Sequence, residues 1–215
     1  MTLSWPSRRG LYAIVDADAL GTRDPIEFAR RVLDAGDLFA LQWRAKRLTA
    51  RHMLTVAEAL APLCRAAKVP FVVNDRPDIA RLARADAVHL GQDDLPVEAA
   101  RRVVGGLPIG CSTHDETQFA RALDDAPAYV AFGPLFATRS KENPDAVVGL
   151  ERLANVARRA GEMPVIAIGG ITLECASHVR EAGAASGAVI AALTEVADDE
   201  ITSRARALHR ALGGR

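Results

Sequence analysis

The sequence predicts an α/β fold in which eight parallel strands alternate with helices around a closed barrel. Short β-branched or apolar runs recur at eight near-regular positions, and stretches with helical periodicity lie between most of them. The 215 residues allow about 27 for each strand and helix unit, which is tight but adequate for a TIM (β/α)8 barrel. An open, doubly wound sheet is the alternative. We favour the barrel because polar residues follow nearly every strand, as expected when these loops meet at one face.

The elements alternate strand then helix, which implies parallel strands joined by right-handed crossovers. The predicted strands cover residues 11–15, 38–41, 70–73, 87–90, 108–111, 129–132, 165–168 and 188–190. The predicted helices cover residues 25–35, 50–67, 97–104, 116–123, 150–159 and 172–182, and a closing helix with a frayed end covers 197–215. Because no Pro-rich or Ser-rich linker interrupts them, we predict a single domain over residues 1–215.

Composition and charge exclude several classes of protein. Hydrophobic residues make up 49% and charged residues 25%, a balance typical of a soluble globular protein rather than a disordered one. The 27 Lys and Arg balance the 27 Asp and Glu, so no overall positive charge favours nucleic acid or an acidic membrane. The N-terminus holds no apolar export signal, and the three cysteines are widely spaced. We therefore expect a cytoplasmic protein with reduced thiols and with no nucleic-acid or membrane partner, and the sequence leaves open whether it forms a homo-oligomer.

Three hydrogen-bond donors follow the second predicted strand. Gln42, Arg44 and Lys46 share one face because side chains alternate along a strand, whereas Trp43 and Ala45 point toward the helix layer. Arginine can hold two phosphate oxygens at once, so this row is typical of a site for a phosphorylated ligand. The alternative is a strand end that simply emerges into solvent.

Carboxylates follow the third and fourth strands. Asn74 and Asp75 come directly after the third strand, and Asp94 lies in the loop after the fourth. Two carboxylates beside a cationic cluster suit Mg²⁺, which prefers oxygen ligands and often bridges carboxylates to substrate phosphates. The structural alternatives are that Asp75 begins a turn and that Asp94 caps a helix starting near Pro96. Both roles can coexist in one residue.

Further polar groups follow the fifth and sixth strands. Ser112 and His114 follow the fifth strand, but Ser112 or Thr113 could instead cap the next helix, and His114 could lie at the surface. The long segment after the sixth strand combines hydroxyl and basic groups, which suits a polyanionic ligand and equally fits a solvated basic loop. Its residues of interest are Thr138, Arg139, Ser140 and Lys141.

Glycines follow the seventh strand, where TIM barrels commonly bind a phosphate. Gly169 and Gly170 leave backbone N–H groups free to approach an anion near a helix N-terminus. The sequence therefore predicts two anion sites, one built from strands two to four and one from strands six to eight.

Five segments of the chain, in the same order, resemble the thiamine phosphate synthase family. They are residues 41–46, 73–80, 85–96, 132–138 and 167–171. Several long motifs in register are far more specific than a lone glycine pattern, and they span nearly the whole chain. The resemblance implies a TIM barrel transferase that uses Mg²⁺ to join hydroxymethylpyrimidine diphosphate to hydroxyethylthiazole phosphate, or its carboxylated form. The products would be thiamine phosphate and pyrophosphate, formed by dissociative loss of pyrophosphate.

The resemblance also assigns residues to these ligands. The pyrimidine diphosphate is assigned to Gln42, Arg44, Lys46, Asn74, Ser112 and Lys141, and Mg²⁺ to Asp75 and Asp94. The thiazole phosphate is assigned to Thr138, Ser140, Gly170 and the backbone of Ile190 and Ala191. The set of substrate contacts also takes in Trp43, Ala45 and Arg139, which lie within the same segments. Catalytic roles fall on Arg44, Lys46, Lys141 and Ser112.

Two positions depart from the family pattern. Ser140 stands where the family usually has Thr, and Ala191 stands where it usually has Ser. Loss of one neutral hydrogen bond to phosphate costs about 1–3 kcal/mol, so we expect weaker thiazole phosphate binding rather than loss of the reaction.

Two other functions are alternatives. A thiazole tautomerase-like isomerase of the same superfamily would need an acid/base histidine after the sixth strand, where this chain has Pro134. Retention of Arg44, Lys46, Asp75 and Asp94 also argues against it. A non-catalytic thiamine phosphate binding protein is the second alternative, since fold alone does not establish function.

Overall fold

A closed barrel of eight parallel strands forms the centre of the protein. The structure is a computed structural model that describes residues 8–138 and 145–215. The strands pair in chain order, and β8 pairs with β1 to close the sheet. They are β1 (Gly10–Asp16), β2 (Ala40–Arg44), β3 (Phe71–Asn74), β4 (Ala87–Leu90), β5 (Ile109–Thr113), β6 (Tyr129–Phe132), β7 (Val165–Ile168) and β8 (Ser186–Val189). The predicted TIM barrel is therefore confirmed, and the open sheet is excluded.

Several strand boundaries differ from the prediction, and the three largest extensions have a common reason. Strand β2 continues to Arg44, β5 continues to Thr113, and β8 begins at Ser186. Polar residues occupy those strand ends, so the apolar runs on which the prediction depended stop short of them.

Ten α-helices surround the barrel in the described part of the chain. They are α1 (Ala17–Leu20), α2 (Pro25–Leu33), α3 (Ala50–Ala67), α4 (Pro77–Leu82), α5 (Val97–Val104), α6 (Glu116–Asp124), α7 (Gly149–Arg159), α8 (Ala176–Glu181), α9 (Ala191–Thr194) and α10 (Ile201–Ala211). Helices α1, α4 and α9 were not predicted, because each is too short to show a helical period. The predicted closing helix is divided into a 3-10 turn at Asp198–Glu200 and α10. Among the described residues, no helix combines the length and the apolar character needed to cross a bilayer.

Side-chain caps fix where several helices begin. Asp24 accepts hydrogen bonds from the N–H groups of Ile26 and Glu27, and Thr49 accepts one from His52. Asp115 caps α6 by accepting from the N–H of Gln118. The alternative that Ser112 or Thr113 caps this helix is therefore wrong.

Alternation along the strands divides the apolar residues into two cores. One fills the barrel interior and contains Tyr12, Ile14, Phe39, Ala40, Val72, Ala87, Tyr129, Ala131, Ile166 and Ala188. The larger one lies between the barrel and the helices, and Trp43 and Ala45 belong to it. Trp43 is 0% exposed, and its Nε1 donates to the carbonyl of Met53 on α3 at 3.2 Å. The predicted outward direction of Trp43 and Ala45 is confirmed, because both pack against the helix layer. Their assignment to the substrate contacts stays a prediction.

Helix α10 anchors the amino-terminal end of the barrel through His209. The imidazole Nδ1 accepts the N–H of Leu11 at 3.3 Å, and the ring is 2% exposed. A Cβ on Gly10 would lie 2.4 Å from this ring, so glycine at that position is required for the contact. Burial lowers the pKa of His209, which keeps the imidazole neutral in the folded protein.

We expect His209→Gln to reduce the pH dependence of stability. Because the pKa of His209 is lower in the folded protein, the unfolded chain takes up this proton first as pH falls below about 6.5. The contribution of a neutral His209 is therefore present at neutral pH and lost in acid. Urea unfolding at about pH 7.5 and about pH 5.5 should show a smaller loss of unfolding free energy in the variant than in the parent. Equal losses in both proteins would contradict this account, since all other titrating groups are shared.

Candidate active site

The carboxyl ends of β1 to β5 bring a set of polar side chains together. Parallel strands in a barrel all end at one face, where the loops after the strands build the site. The residues concerned are Asp16, Gln42, Arg44, Lys46, Asn74, Asp75, His89, Asp94 and Ser112. Hydrogen bonds and ion pairs link most of them, so the structure assembles in one place the groups that the sequence analysis predicted for the first anion site.

Arg44 is held by a buried carboxylate that the sequence analysis missed. Asp16 ends β1, its side chain is 4% exposed, and its Oδ2 pairs with Nη1 of Arg44. The other oxygen of Asp16 accepts the N–H of Ala19 at 2.9 Å and so caps α1. Because this buried carboxylate pairs with it, the Arg44 guanidinium is oriented before any ligand binds. The sequence feature that could have identified Asp16 is an acidic residue at the end of the first strand. In the sheet, Asp16 lies in register with Arg44 on β2.

Lys46, Asp75 and Asp94 form a second charged group beside Arg44. Lys46 Nζ lies 3.0 Å from Asp75 Oδ2, and the carboxyls of Asp75 and Asp94 are within hydrogen-bond contact. Burial, followed by the hydrogen bond and negative charge of Asp75, raises the pKa of Asp94 to about 6. Two carboxylates that share a site in this way are well suited to a divalent cation.

Backbone conformation places these two carboxylates. Asp75 has a φ of +63°, in the left-handed region that non-glycine residues seldom adopt, and its N–H donates to the carbonyl of His89 at 2.8 Å. Strained residues of this kind cluster at functional sites. Asp94 Oδ2 accepts the N–H of Gly91 at 2.6 Å, whereas Pro96 occupies the capping position of α5. The alternative that Asp94 caps this helix is therefore wrong.

A chain of hydrogen bonds crosses the barrel interior from Gln42 to Ser112. It passes through Tyr12, Tyr129 and His89, none of which the sequence analysis assigned to the site. Full burial lowers the pKa of His89 to about 4, so its imidazole is neutral at neutral pH. Inward-facing tyrosines look like ordinary core aromatics in a sequence, so only their contacts identify them.

The second predicted anion site is partly described. His114 Nδ1 contacts the carbonyl of Gly133 at 2.7 Å, so this residue bridges β5 to the segment after β6 instead of standing free at the surface. A Cβ on Gly170 would lie 2.5 Å from the carbonyl of Ala137, so the glycine brings the segments after β6 and β7 together. Thr138, Ile190 and Ala191 are half-buried at this end of the barrel, whereas Arg139, Ser140 and Lys141 lie outside the described residues.

No cluster of three or more histidine, cysteine, aspartate or glutamate side chains with metal-binding geometry occurs within residues 8–138 and 145–215. A magnesium site here would therefore depend on the Asp75 and Asp94 pair, completed by water and substrate oxygens, which is the usual arrangement for this ion.

Comparison with known proteins identifies close relatives. The model of a family described as thiamine monophosphate synthase matches residues 11–193. The thiamine-phosphate synthase of Roseiflexus castenholzii is 43% identical over 205 residues, which cover 94% of this chain and 89% of that protein. The thiamine-phosphate synthase of Koribacter versatilis is 46% identical over 192 residues, which cover 85% of this chain and 88% of that protein. The solved structure of thiamine phosphate pyrophosphorylase from Pyrococcus furiosus is similar with a TM-score of 0.84 and 31% identity, covering 94% of this chain and 95% of that one.

We expect Asp75→Asn to lower the pKa of Asp94 below about 6. The substitution removes a neighbouring negative charge and supplies an amide that can donate to the Asp94 carboxylate, and both changes favour its ionised form. Titration of the carboxyl groups by carbon-13 NMR measures this shift. Asp93→Asn is the matched control, because Asp93 is an exposed neighbour that should leave the pKa of Asp94 unchanged. An Asp94 pKa that stays the same in Asp75→Asn would show that the two carboxyls are not in contact.

Proposed function

We propose, starting from the fact that this chain belongs to the thiamine monophosphate synthase family, that the carboxyl end of its barrel joins a pyrimidine diphosphate to a thiazole phosphate. The chain is an enzyme of thiamine biosynthesis and a transferase. One observation carries the choice of substrates: β2, which carries Gln42 and Arg44, lies beside β3, and Lys46 pairs with Asp75, which in turn contacts Asp94. This combination of cations, an amide and paired carboxylates suits a diphosphate bound together with a metal ion.

The proposed reaction needs no nucleophile from the protein. The bond between the pyrimidine methylene carbon and the diphosphate oxygen breaks, and its electron pair leaves with pyrophosphate. The thiazole nitrogen then supplies the electron pair for the new bond to that carbon. The protein therefore has to stabilise the charge on the leaving group, hold the thiazole opposite it, and exclude water from the cationic carbon.

Arg44 and Lys46 are proposed to stabilise the negative charge on the leaving pyrophosphate. Arg44 is oriented by Asp16, so its guanidinium requires little reorganisation when negative charge develops on the leaving oxygen. Lys46 is half-exposed, and its ammonium can exchange the Asp75 carboxylate for a phosphate oxygen. Lys141 is proposed to add a third cation, and it lies outside the described residues.

The charge balance of the site supports Mg²⁺ as the cofactor. The cations of Arg44 and Lys46 are matched against three carboxylates, those of Asp16, Asp75 and Asp94. These two cations alone therefore leave no surplus positive charge for a diphosphate, which carries several negative charges. Asp75 and Asp94 would hold Mg²⁺, and the bound ion would supply the charge neutralisation that the pyrophosphate oxygens need.

The thiazole phosphate is proposed to bind at the same carboxyl end of the barrel, on the side opposite Arg44 and Lys46. Thr138 supplies a hydroxyl, and Gly170, Ile190 and Ala191 supply backbone groups close to the start of α9. Ser140 belongs to the same proposed subsite and lies outside the described residues.

We further propose that the enzyme works in the cytoplasm, because Cys64, Cys111 and Cys175 are free thiols.

A coupling assay tests this function. Purified protein, both phosphorylated substrates and Mg²⁺ should yield thiamine phosphate, detected by fluorescence after oxidation to thiochrome, and a chelator should abolish the product. Asp75→Asn and Asp94→Asn should each lower kcat/KM by about a hundredfold, because the metal would lose one of its two protein ligands. Asp93→Asn, with an exposed carboxyl in the same loop, should retain the parent rate.

Other outcomes have clear meanings. A folded protein that makes no thiamine phosphate would contradict the synthase function and favour the isomerase or the binding protein. Full activity of both aspartate variants with unchanged dependence on Mg²⁺ would contradict the metal assignment alone.

We expect Ala191→Ser to strengthen thiazole phosphate binding. The substitution adds a hydroxyl at the half-buried first position of α9, where the family usually has one. One hydrogen bond of about 1 kcal/mol should lower the KM for thiazole phosphate roughly fivefold and leave the KM for the pyrimidine diphosphate unchanged. An unchanged KM for thiazole phosphate would mean that backbone groups or water already satisfy that oxygen.

A further inference from the structure

Asp16 contacts two separate parts of the protein through its two carboxylate oxygens. Its Oδ2 pairs with Nη1 of Arg44, which is a proposed contact of the pyrimidine diphosphate. Its Oδ1 accepts the N–H of Ala19 at 2.9 Å and thereby fixes the first turn of α1. The Asp16 side chain is 4% exposed, so these partners rather than water compensate its charge. One buried carboxylate therefore joins a proposed catalytic cation to the start of a helix.

Helix α1 in turn lies against α9. Leu20 of α1 and Leu193 of α9 are both buried in the core between the barrel and the helices. In the turn after α1, Arg23 Nη2 donates to the carbonyl of Val196, just after α9, at 2.8 Å. Helix α1 and the turn that follows it are thus attached to α9 and its following segment by apolar packing and by a hydrogen bond.

The position of α9 matters for the second substrate. Ile190 and Ala191, at the start of α9, are the proposed backbone contacts of the thiazole phosphate. The helix has four residues, and so short a helix is not stable by itself, so its position depends on the structure packed against it. Helix α1 is part of that structure. A loosened first turn of α1 should therefore disturb the backbone that receives the thiazole phosphate.

We propose that Asp16 is a positioning residue for both substrates of the reaction. Through Oδ2 it orients the Arg44 guanidinium, and through Oδ1 it holds α1 in place against α9. The inference rests on the proposed synthase function and deepens it. Both subsites are then positioned from one buried residue, which fixes their separation. That separation matters because the thiazole nitrogen must lie opposite the methylene carbon as pyrophosphate leaves.

The Asp16 carboxylate has opposite effects on binding and on turnover of the pyrimidine diphosphate. Its negative charge repels the diphosphate and cancels part of the attraction of Arg44. Its orientation of the guanidinium reduces the reorganisation needed when charge develops on the leaving oxygen. Removal of the carboxylate should therefore lower kcat without raising the KM for this substrate, whereas general damage to the site would raise that KM.

Two substitutions that differ by one oxygen atom separate the two contacts. Asp16→Ser keeps an oxygen that can cap α1, because serine caps helices about as well as aspartate, but it has no charge to pair with Arg44. Asp16→Ala removes both contacts. At saturating thiazole phosphate, both variants should lose kcat roughly tenfold with no rise in the KM for the pyrimidine diphosphate. Only Asp16→Ala should raise the KM for thiazole phosphate, by roughly fivefold.

Asp24→Ala is the matched control for the loss of a helix cap. Asp24 is exposed and caps the neighbouring helix α2 by accepting from the N–H groups of Ile26 and Glu27. The variant should lose stability, as expected for a missing cap, and should keep the parent kcat and both parent KM values.

Arg23→Met tests the link to α9 without changing Asp16, and it does so even if Asp16→Ala fails to fold. The substitution keeps an apolar stem and removes the hydrogen bond to the carbonyl of Val196. We expect a higher KM for thiazole phosphate, by a few-fold, with no change in kcat or in the KM for the pyrimidine diphosphate.

Amide hydrogen exchange tests the connection between α1 and α9 without turnover. The Ala19 N–H reports the cap of α1, and the Thr194 N–H, which donates to the carbonyl of Ile190 at 3.1 Å, reports α9. Both amides should exchange faster in Asp16→Ala than in Asp16→Ser. The Thr194 amide should also exchange faster in Arg23→Met, and at the parent rate in Asp24→Ala.

The outcomes decide each part of the proposal. An unchanged kcat in Asp16→Ser, or a raised KM for the pyrimidine diphosphate, would overturn the positioning of Arg44. Equal KM values for thiazole phosphate in Asp16→Ser and Asp16→Ala, or an unchanged value in Arg23→Met, would overturn the link to α9. If the parent protein forms no thiamine phosphate, the proposed function fails, and exchange at Thr194 still decides whether Asp16 holds α9 through α1.

Discussion

Closure of the eight-stranded sheet is the constraint on which the rest of this structure depends. Because β8 pairs with β1, every second side chain of each strand must fit inside the barrel, and all strands end at the same face. The interior has apolar residues such as Ile14 and Val72, but it also contains Tyr12, Tyr129 and His89. These polar groups are tolerated because each has a hydrogen-bond partner, and together they join β1, β2, β4, β5 and β6 immediately below the proposed site.

The charges at the mouth of the barrel are arranged in pairs before any substrate is present. Asp16 holds Arg44, and Asp75 holds Lys46, while Asp94 shares a hydrogen bond with Asp75. Pairing orients the cations but also cancels much of their attraction for an anion. This balance of charges supports the proposal of a ligand that arrives with a divalent cation. Burial, followed by the neighbouring Asp75, raises the pKa of Asp94 to about 6.

Much of the fold and part of the site could be predicted because they depend on local patterns. The eight apolar runs predicted the eight strands, and alternation within β2 correctly separated Gln42 and Arg44 from Trp43. The position of polar residues after successive strands predicted that Arg44, Lys46, Asp75 and Asp94 would meet. Strand ends at Arg44, Thr113 and Ser186 were missed because polar residues interrupt the apolar pattern there. The short helices α1, α4 and α9 were missed because fewer than two turns show no period.

The sequence by itself determined the barrel, its family and the residue types at the mouth, since these follow from periodicity and from motifs in order along the chain. Only the tertiary structure decided which groups are partners. Asp16 and Arg44 are 28 positions apart, and Tyr12 and Tyr129 are 117 apart, so no local pattern connects them. Their contacts exist because the closed sheet places β1 beside β2 and brings β1 and β6 face to face across a narrow interior.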